Sequence, residues 1–198
     1  VVRYYANRSS NGDKLRAGID QIESLLAQLE RTQSIDEVRG VEGKARDIYF
    51  SVWNHILSAG SFVYSVRSRR PPADPVNALI SFGNSLLYAT TVSGILNVHL
   101  HGGISYVHEP GRYRFSLALD IADIFKPVFV DRLIFKLVNH GILQEKHFVS
   151  HLDYTVLNDK GKRIFVSYWD EMLKRTVIHL TLKRKVSMRQ LIRLECYK

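Results

Sequence analysis

Two aspartates three positions apart, Asp120 and Asp123, interrupt the apolar stretch LALDIADIF. On a helix that spacing puts both carboxylates on one face, where like charges repel unless a divalent cation or an arginine compensates them. Two further groups could contribute. Glu42 stands beside Gly43, just ahead of a long helical pattern, and His108 lies in the turn-rich segment SYVHEPGRYR, followed by Glu109, Pro110 and Gly111. Carboxylate oxygens with one imidazole suit Mg²⁺ or Mn²⁺ better than zinc. Each group also has a plainer reading. A salt bridge would satisfy the aspartates, the helix dipole favours a glutamate at a helix start, and a histidine in a turn is ordinarily a surface residue.

Other chemistries lack their residues. His99 and His101 form an H-x-H pair with no carboxylate nearby, and there is no phosphate-binding glycine loop, no G-x-S-x-G and no H-E-x-x-H. Nucleotide hydrolysis and serine chemistry are therefore unsupported. The single cysteine, Cys196, permits neither a disulfide framework nor a thiolate zinc site within the chain, which points to the cytoplasm. A formal net charge of +9 makes a polyanion the first partner to consider, nucleic acid ahead of a membrane surface. No apolar run reaches the roughly 18 residues of a membrane helix, and no signal-peptide pattern opens the chain. It begins at Val1 and stops within a helical pattern at Lys198, as a fragment truncated at both ends would.

The elements that must position these groups read as helices. Leu15, Ile19, Ile22, Leu25, Leu26 and Leu29 recur three and four apart, an amphipathic helix ending near Glu30. Ser34 and Asp36 can start a short helical turn, and a second helix runs from Glu42 through Leu57 to a stop at Gly60. The segment VRSRRPPADP, Val66 to Pro75, is a basic surface loop carrying Arg67, Arg69 and Arg70, and Pro75 is well placed to open the next helix. Ser116 to Phe125 begins with an alternation that leaves strand and helix both open; its later positions favour a helix stopped by Pro127. A helix over Val130 to Val138 closes at Gly141. A turn at Asn158-Asp159 precedes a helix through Leu173. The tail from Val177 reads as helical and basic, with Lys183, Arg184, Lys185, Arg189 and Arg193. The expectation is one all-α domain over 1–198.

Four blocks, in order, resemble the CRISPR-associated integrase family, the endonuclease of spacer acquisition. GVEGKARDIYF is similar to its Glu-Gly-x-x-Ala-Arg-x-x-Tyr-Phe block, and RSRRPPADPVNALISFGNSLLY to its Arg-Arg-Pro-Pro…Asn-Ala-x-x-Ser-Phe signature. HLHGGISYVHEPGRYRFSLALDIADIFKPVFVDR resembles the block with the ligand histidine, an Asp-x-x-Glu/Asp pair and Phe-Arg/Lys-Pro; RKVSMRQLIRLECYK resembles the last-helix block. The sequence departs from the pattern in His99-Leu100-His101-Gly102 before the histidine, in Asp123 where glutamate is common, and in Cys196 where alanine is usual.

The resemblance implies the helical catalytic domain of a metal-dependent DNA nuclease and strand transferase, without the β-rich N-terminal domain that helps form the family's homodimer. It implies that Glu42, His108 and Asp123 hold Mg²⁺ or Mn²⁺, with Asp120 close by among the catalytic groups. Arg46, Arg67, Arg69, Arg70, Lys126, Lys183, Arg184 and Lys185 are the expected DNA-binding residues, and the partners are foreign DNA fragments, the CRISPR repeat and the small second adaptation protein. A non-catalytic basic helical DNA-binding module and a related transposon-encoded integrase are the competing readings.

Overall fold

A computed structural model describes residues 1–109 and 115–198. The chain forms two compact units, Val1–Arg67 and Ser68–Lys198.

In the first unit α1 (Val2–Ala6) packs on α2 (Gly12–Leu29), and α2 on α3 (Ile35–Ser51). The amphipathic helix expected up to Glu30 is present as α2. What reads as a short turn followed by a helix from Glu42 is instead one helix. Ser34 caps it by accepting from the Glu37 amide, so α3 starts at Ile35 and Glu42 falls in its interior. The helix also ends before Gly60, giving way to a 3₁₀ turn, Trp53–His55. There Asn54 bonds both polar groups of the Tyr64 backbone, at 2.7 and 2.8 Å, and Tyr64 stacks on Phe50 at 5.0 Å beside the fully buried Trp53.

The second unit is organised around α4 (Pro75–Asn97), capped by Asp74 and opened by Pro75 as the sequence suggests. By length and composition α4 could cross a membrane, which the length of unbroken apolar runs does not reveal. It carries buried Asn77 and Thr91 among its aliphatic residues, and it packs against α5 (Ser116–Lys126), α8 (Met188–Glu195), the strand Thr155–Leu157 and the turn after α5. A Cβ on Gly83 would lie 2.5 Å from Val130, so this position admits only hydrogen at that crossing.

α5 ends at Lys126, directly before Pro127, as the sequence suggests, but the chain stays helical beyond it. Pro127 opens a π-helical turn, Pro127–Asp131, that leads into α6 (Arg132–Asn139), and Gly141 ends that run with φ +64°. A wider turn accommodates a residue without an amide hydrogen while the apolar face continues into the core. Two hairpins then appear that helical spacing does not reveal. β1 (Phe148–Ser150) pairs antiparallel with β2 (Thr155–Leu157), and β3 (Thr176–Ile178) with β4 (Lys185–Ser187). Between them Asn158 caps α7 (Asp159–Lys174) through the Gly161 amide. The tail is thus a hairpin followed by α8, and only its last part is helical. The class is all-α with two small two-stranded sheets.

Phe165 of α7 is fully buried and meets Phe82 of α4 edge-to-face at 5.4 Å. Phe165→Ala should cost about 3–5 kcal/mol, read as a lower midpoint in urea denaturation at unchanged slope. His147, 4% exposed, accepts the Gln144 amide on Nδ1; burial, then Lys146 and Lys160, hold its pKa below the ordinary histidine value. The unfolded chain therefore takes up a proton that the folded chain resists, and stability falls as pH drops below about 6.5. His147→Asn, which keeps an acceptor for Gln144, should flatten that fall in thermal melts; an unchanged slope would remove His147 as its source.

Candidate metal centre and nucleic-acid surface

α5 begins where Leu117 donates to the Gly102 carbonyl and Ser116 to that of Gly103, while Tyr88 of α4 donates to the Phe115 carbonyl. These bonds bring the segment before α5 back across its first turn. Asp120 then takes it up. One carboxylate oxygen accepts the Tyr106 and Val107 amides at 2.6 and 3.1 Å; the other accepts the His108 amide at 3.1 Å and meets His108 Nδ1 at 2.6 Å. The Asp120 side chain is only 9% exposed. Burial alone would raise its pKa, but the bond to His108 and the three amides outweigh burial and hold the carboxyl below its ordinary value. The ionised carboxylate accepts Nδ1–H, which leaves Nε2 as the nitrogen His108 can offer a metal. Pro110 and Gly111, which flank the expected histidine turn, lie outside the described residues.

Asp123, one helical turn on, has a different partner: it ion-pairs with Lys126, three residues along α5. Glu42, in the first unit, ion-pairs with Arg46, four residues along α3. Among the described residues of the second unit, no three or more His, Cys, Asp or Glu side chains gather as a ready cation site. The expected repulsion between the Asp120 and Asp123 carboxylates is met locally, because each has its own basic or hydrogen-bonding partner. Two residues expected to bind DNA, Arg46 and Lys126, are the partners of Glu42 and Asp123.

The other basic residues stand outward. Arg69 and Arg70 are exposed and Arg67 half-buried. Their loop is held by the Ser68 amide on buried Asn77, by the Ala73 amide on the Ser68 hydroxyl, and by the Thr155 amide on the Pro72 carbonyl. Lys183, Arg184 and Lys185 are exposed at the turn and start of β4 rather than on a helix. Residue types and spacing give no sign of the three amides on Asp120, because nothing in a side chain marks its own backbone as a donor.

The second unit is thus a helical scaffold that fastens an imidazole to a nearly buried carboxylate and carries exposed arginines on a separate loop. Over residues 1–171 the chain matches the family described as CRISPR associated protein Cas1. It belongs to that family. A relative from Thermodesulfovibrio yellowstonii, named CRISPR-associated endonuclease Cas1 2, is 44% identical over 198 residues, all of this chain and 59% of the relative. A solved CAS1 protein from Thermotoga maritima is 45% identical with a TM-score of 0.82, over 90% of this chain and 55% of that one. A casposase bound to integration product shares the fold, with a TM-score of 0.80 at 24% identity over 98% of this chain and 55% of that one. The chain spans somewhat over half the length of the curated relatives it matches.

Asp120→Asn would place an amide nitrogen where one carboxylate oxygen now accepts. Hydrogen exchange at Tyr106, Val107 and His108 should accelerate, with a stability loss of about 1–3 kcal/mol. Unchanged exchange at all three amides would show that Asp120 does not fasten this segment.

Proposed function

We propose that the protein is a divalent-metal-dependent DNA endonuclease and integrase that inserts foreign DNA fragments as new spacers into a CRISPR array by transesterification. The observation that carries this reading is the His108–Asp120 pair in a chain of this family: a buried carboxylate sets the imidazole tautomer and leaves Nε2 for a ligand. The donor set fits the ion. Glu42, His108 and Asp123 would hold Mg²⁺ or Mn²⁺, which when bound polarises a scissile phosphate and activates an attacking hydroxyl. Asp120 orients His108. Arg46 and Lys126 neutralise Glu42 and Asp123 in the protein alone.

In integration the 3′-hydroxyl of the fragment attacks phosphorus in the repeat strand, the strand's P–O3′ bond breaks, and the released oxygen takes up a proton. The number of phosphodiester bonds is conserved. Water in place of the hydroxyl gives cleavage. Arg67, Arg69, Arg70, Lys183, Arg184 and Lys185 take the phosphate backbone, with Arg46 and Lys126 next to the reacting strand. The partners are foreign DNA and the CRISPR repeat, a second copy in the full-length homodimer, and the small second adaptation protein. The setting is the cytoplasm, with no membrane.

Glu42→Ala, His108→Ala and Asp123→Ala should each abolish cleavage and strand transfer on labelled repeat duplexes with Mg²⁺ or Mn²⁺, while affinity for DNA changes little. Full activity in any one of them would remove that residue from the metal site. Replacing Arg67, Arg69 and Arg70 together should flatten the salt dependence of binding by up to roughly 2.7 logarithmic units per logarithmic unit of salt, about 0.9 for each phosphate no longer neutralised.

A further inference from the structure

The β3–β4 hairpin combines two features that a phosphate clamp alone does not require. From Met172 to Leu194 there are seven Lys and Arg residues and no Asp or Glu. Within that basic stretch the hairpin holds aliphatic side chains out in water: Ile178 is 66% exposed, Leu180 82% and Leu182 41%. Isolated exposed leucines need no explanation, but three in five residues make an apolar patch on one projecting element.

The tip is built. His179 donates its amide to the Arg184 carbonyl at 2.9 Å and accepts the Lys183 amide on its own carbonyl at 2.9 Å; its Nδ1 accepts the Leu182 amide at 3.1 Å. Lys183 completes the turn with φ +50°. At the base Val186 is buried, and the Met188 amide donates to the Arg175 carbonyl as α8 begins. Leu180 and Leu182 are thus held outward by a hydrogen-bonded turn.

Charge selects the occupant. A second copy of this chain carries the same +9 and the same acid-free stretch, so like would meet like. A polyanion is complementary, and among polyanions duplex DNA offers a use for the aliphatic tip. Leucine and isoleucine wedges entering the minor groove part a base step and kink the duplex while flanking cations hold its phosphates.

We propose that the β3–β4 hairpin is a duplex-distorting wedge: Leu180 and Leu182 enter the minor groove and unstack a base step, while Lys183, Arg184 and Lys185 hold the flanking phosphates. This rests on the DNA-binding reading above and adds a mechanical role to it. The test uses the full-length protein in EDTA, so that no strand is cut, with duplexes carrying several 2-aminopurines. Binding should raise 2-aminopurine fluorescence. Leu180→Ser with Leu182→Ser should bind with an unchanged salt slope and lose the rise. Leu180→Ser alone, at the most exposed of the three positions, should reduce the rise without any effect on melting. Lys183→Ala, Arg184→Ala and Lys185→Ala together should lower the slope by up to roughly 2.7. Wild-type binding without a fluorescence rise, or a rise that survives in the double variant, overturns the wedge and leaves DNA binding standing; the second result would assign the aliphatic patch to a protein partner. Absence of DNA binding overturns the proposed function and the wedge together.

Discussion

The second unit is organised by the burial of the 23-residue helix α4, which is buried through its first turns and along one face beyond them. Its N-terminal turn is fixed by Asp74 and by Asn77, whose side chain also receives the Ser68 amide, so the core helix and the arginine loop share one hydrogen-bonded cluster. Farther along, Gly83 admits Val130, and Tyr88 reaches the carbonyl just before α5. The register of α5 on α4 then decides where Asp120 lies. Burial of an apolar helix thus determines the placement of a carboxylate whose own bonds run to the amides and imidazole of the returning segment.

From Asp120 outward the controlling interaction is electrostatic. A carboxylate 9% exposed would be costly if ionised in isolation. Three amides and an imidazole reverse that preference. The same four donors that stabilise the charge define the path of Tyr106 to His108, so the solvation of one group and the geometry of the candidate ligand are a single arrangement. Asp123 and Glu42 are stabilised differently, by long flexible cations one turn along their own helices. Such pairs contribute little to stability at partly exposed sites and can exchange partners readily. Asp120 is therefore fixed by backbone amides and an imidazole, whereas Asp123 and Glu42 pair with side chains of their own helices.

The parts of the molecule legible in the sequence are those governed by local pattern. The amphipathic helices α2 and α7 follow from their spacing, although of the spaced apolar residues on α2 only Leu15 is fully buried, and Pro75, Asn158 and Gly141 mark helix ends. Glu42 reads as a helix start because Gly40 and Gly43 on either side of it weaken the pattern; the Ser34 cap and the packing on α2 carry the helix through both. Pro127 ends α5 as read, but the π-helical continuation is not legible, because local sterics do not register the burial of Phe129, Val130 and Leu133 in the core. The β3–β4 hairpin escapes because three-residue strands have no period to detect, and its apolar positions imitate a helix continuing into α8.

The pair in LALDIADIF shows the limit most clearly. Asp120 and Asp123 have the same chemistry, occupy the same helix, and differ by one turn, so residue type and spacing assign them alike. Their environments do not. Asp120 faces the returning segment, whose amides lie 12 to 14 residues earlier in sequence, and its charge is consumed in ordering that segment. Asp123 pairs with Lys126 and is more than twice as exposed, at 21%. A carboxylate already engaged by four donors has little capacity left for a dication, whereas one paired with a flexible lysine can exchange that lysine for a stronger charge. Within the proposed metal site the two aspartates therefore take separate parts, Asp120 as the group that orients His108 and Asp123 as the ligand, and the difference between them lies in their bonding partners rather than in their chemistry.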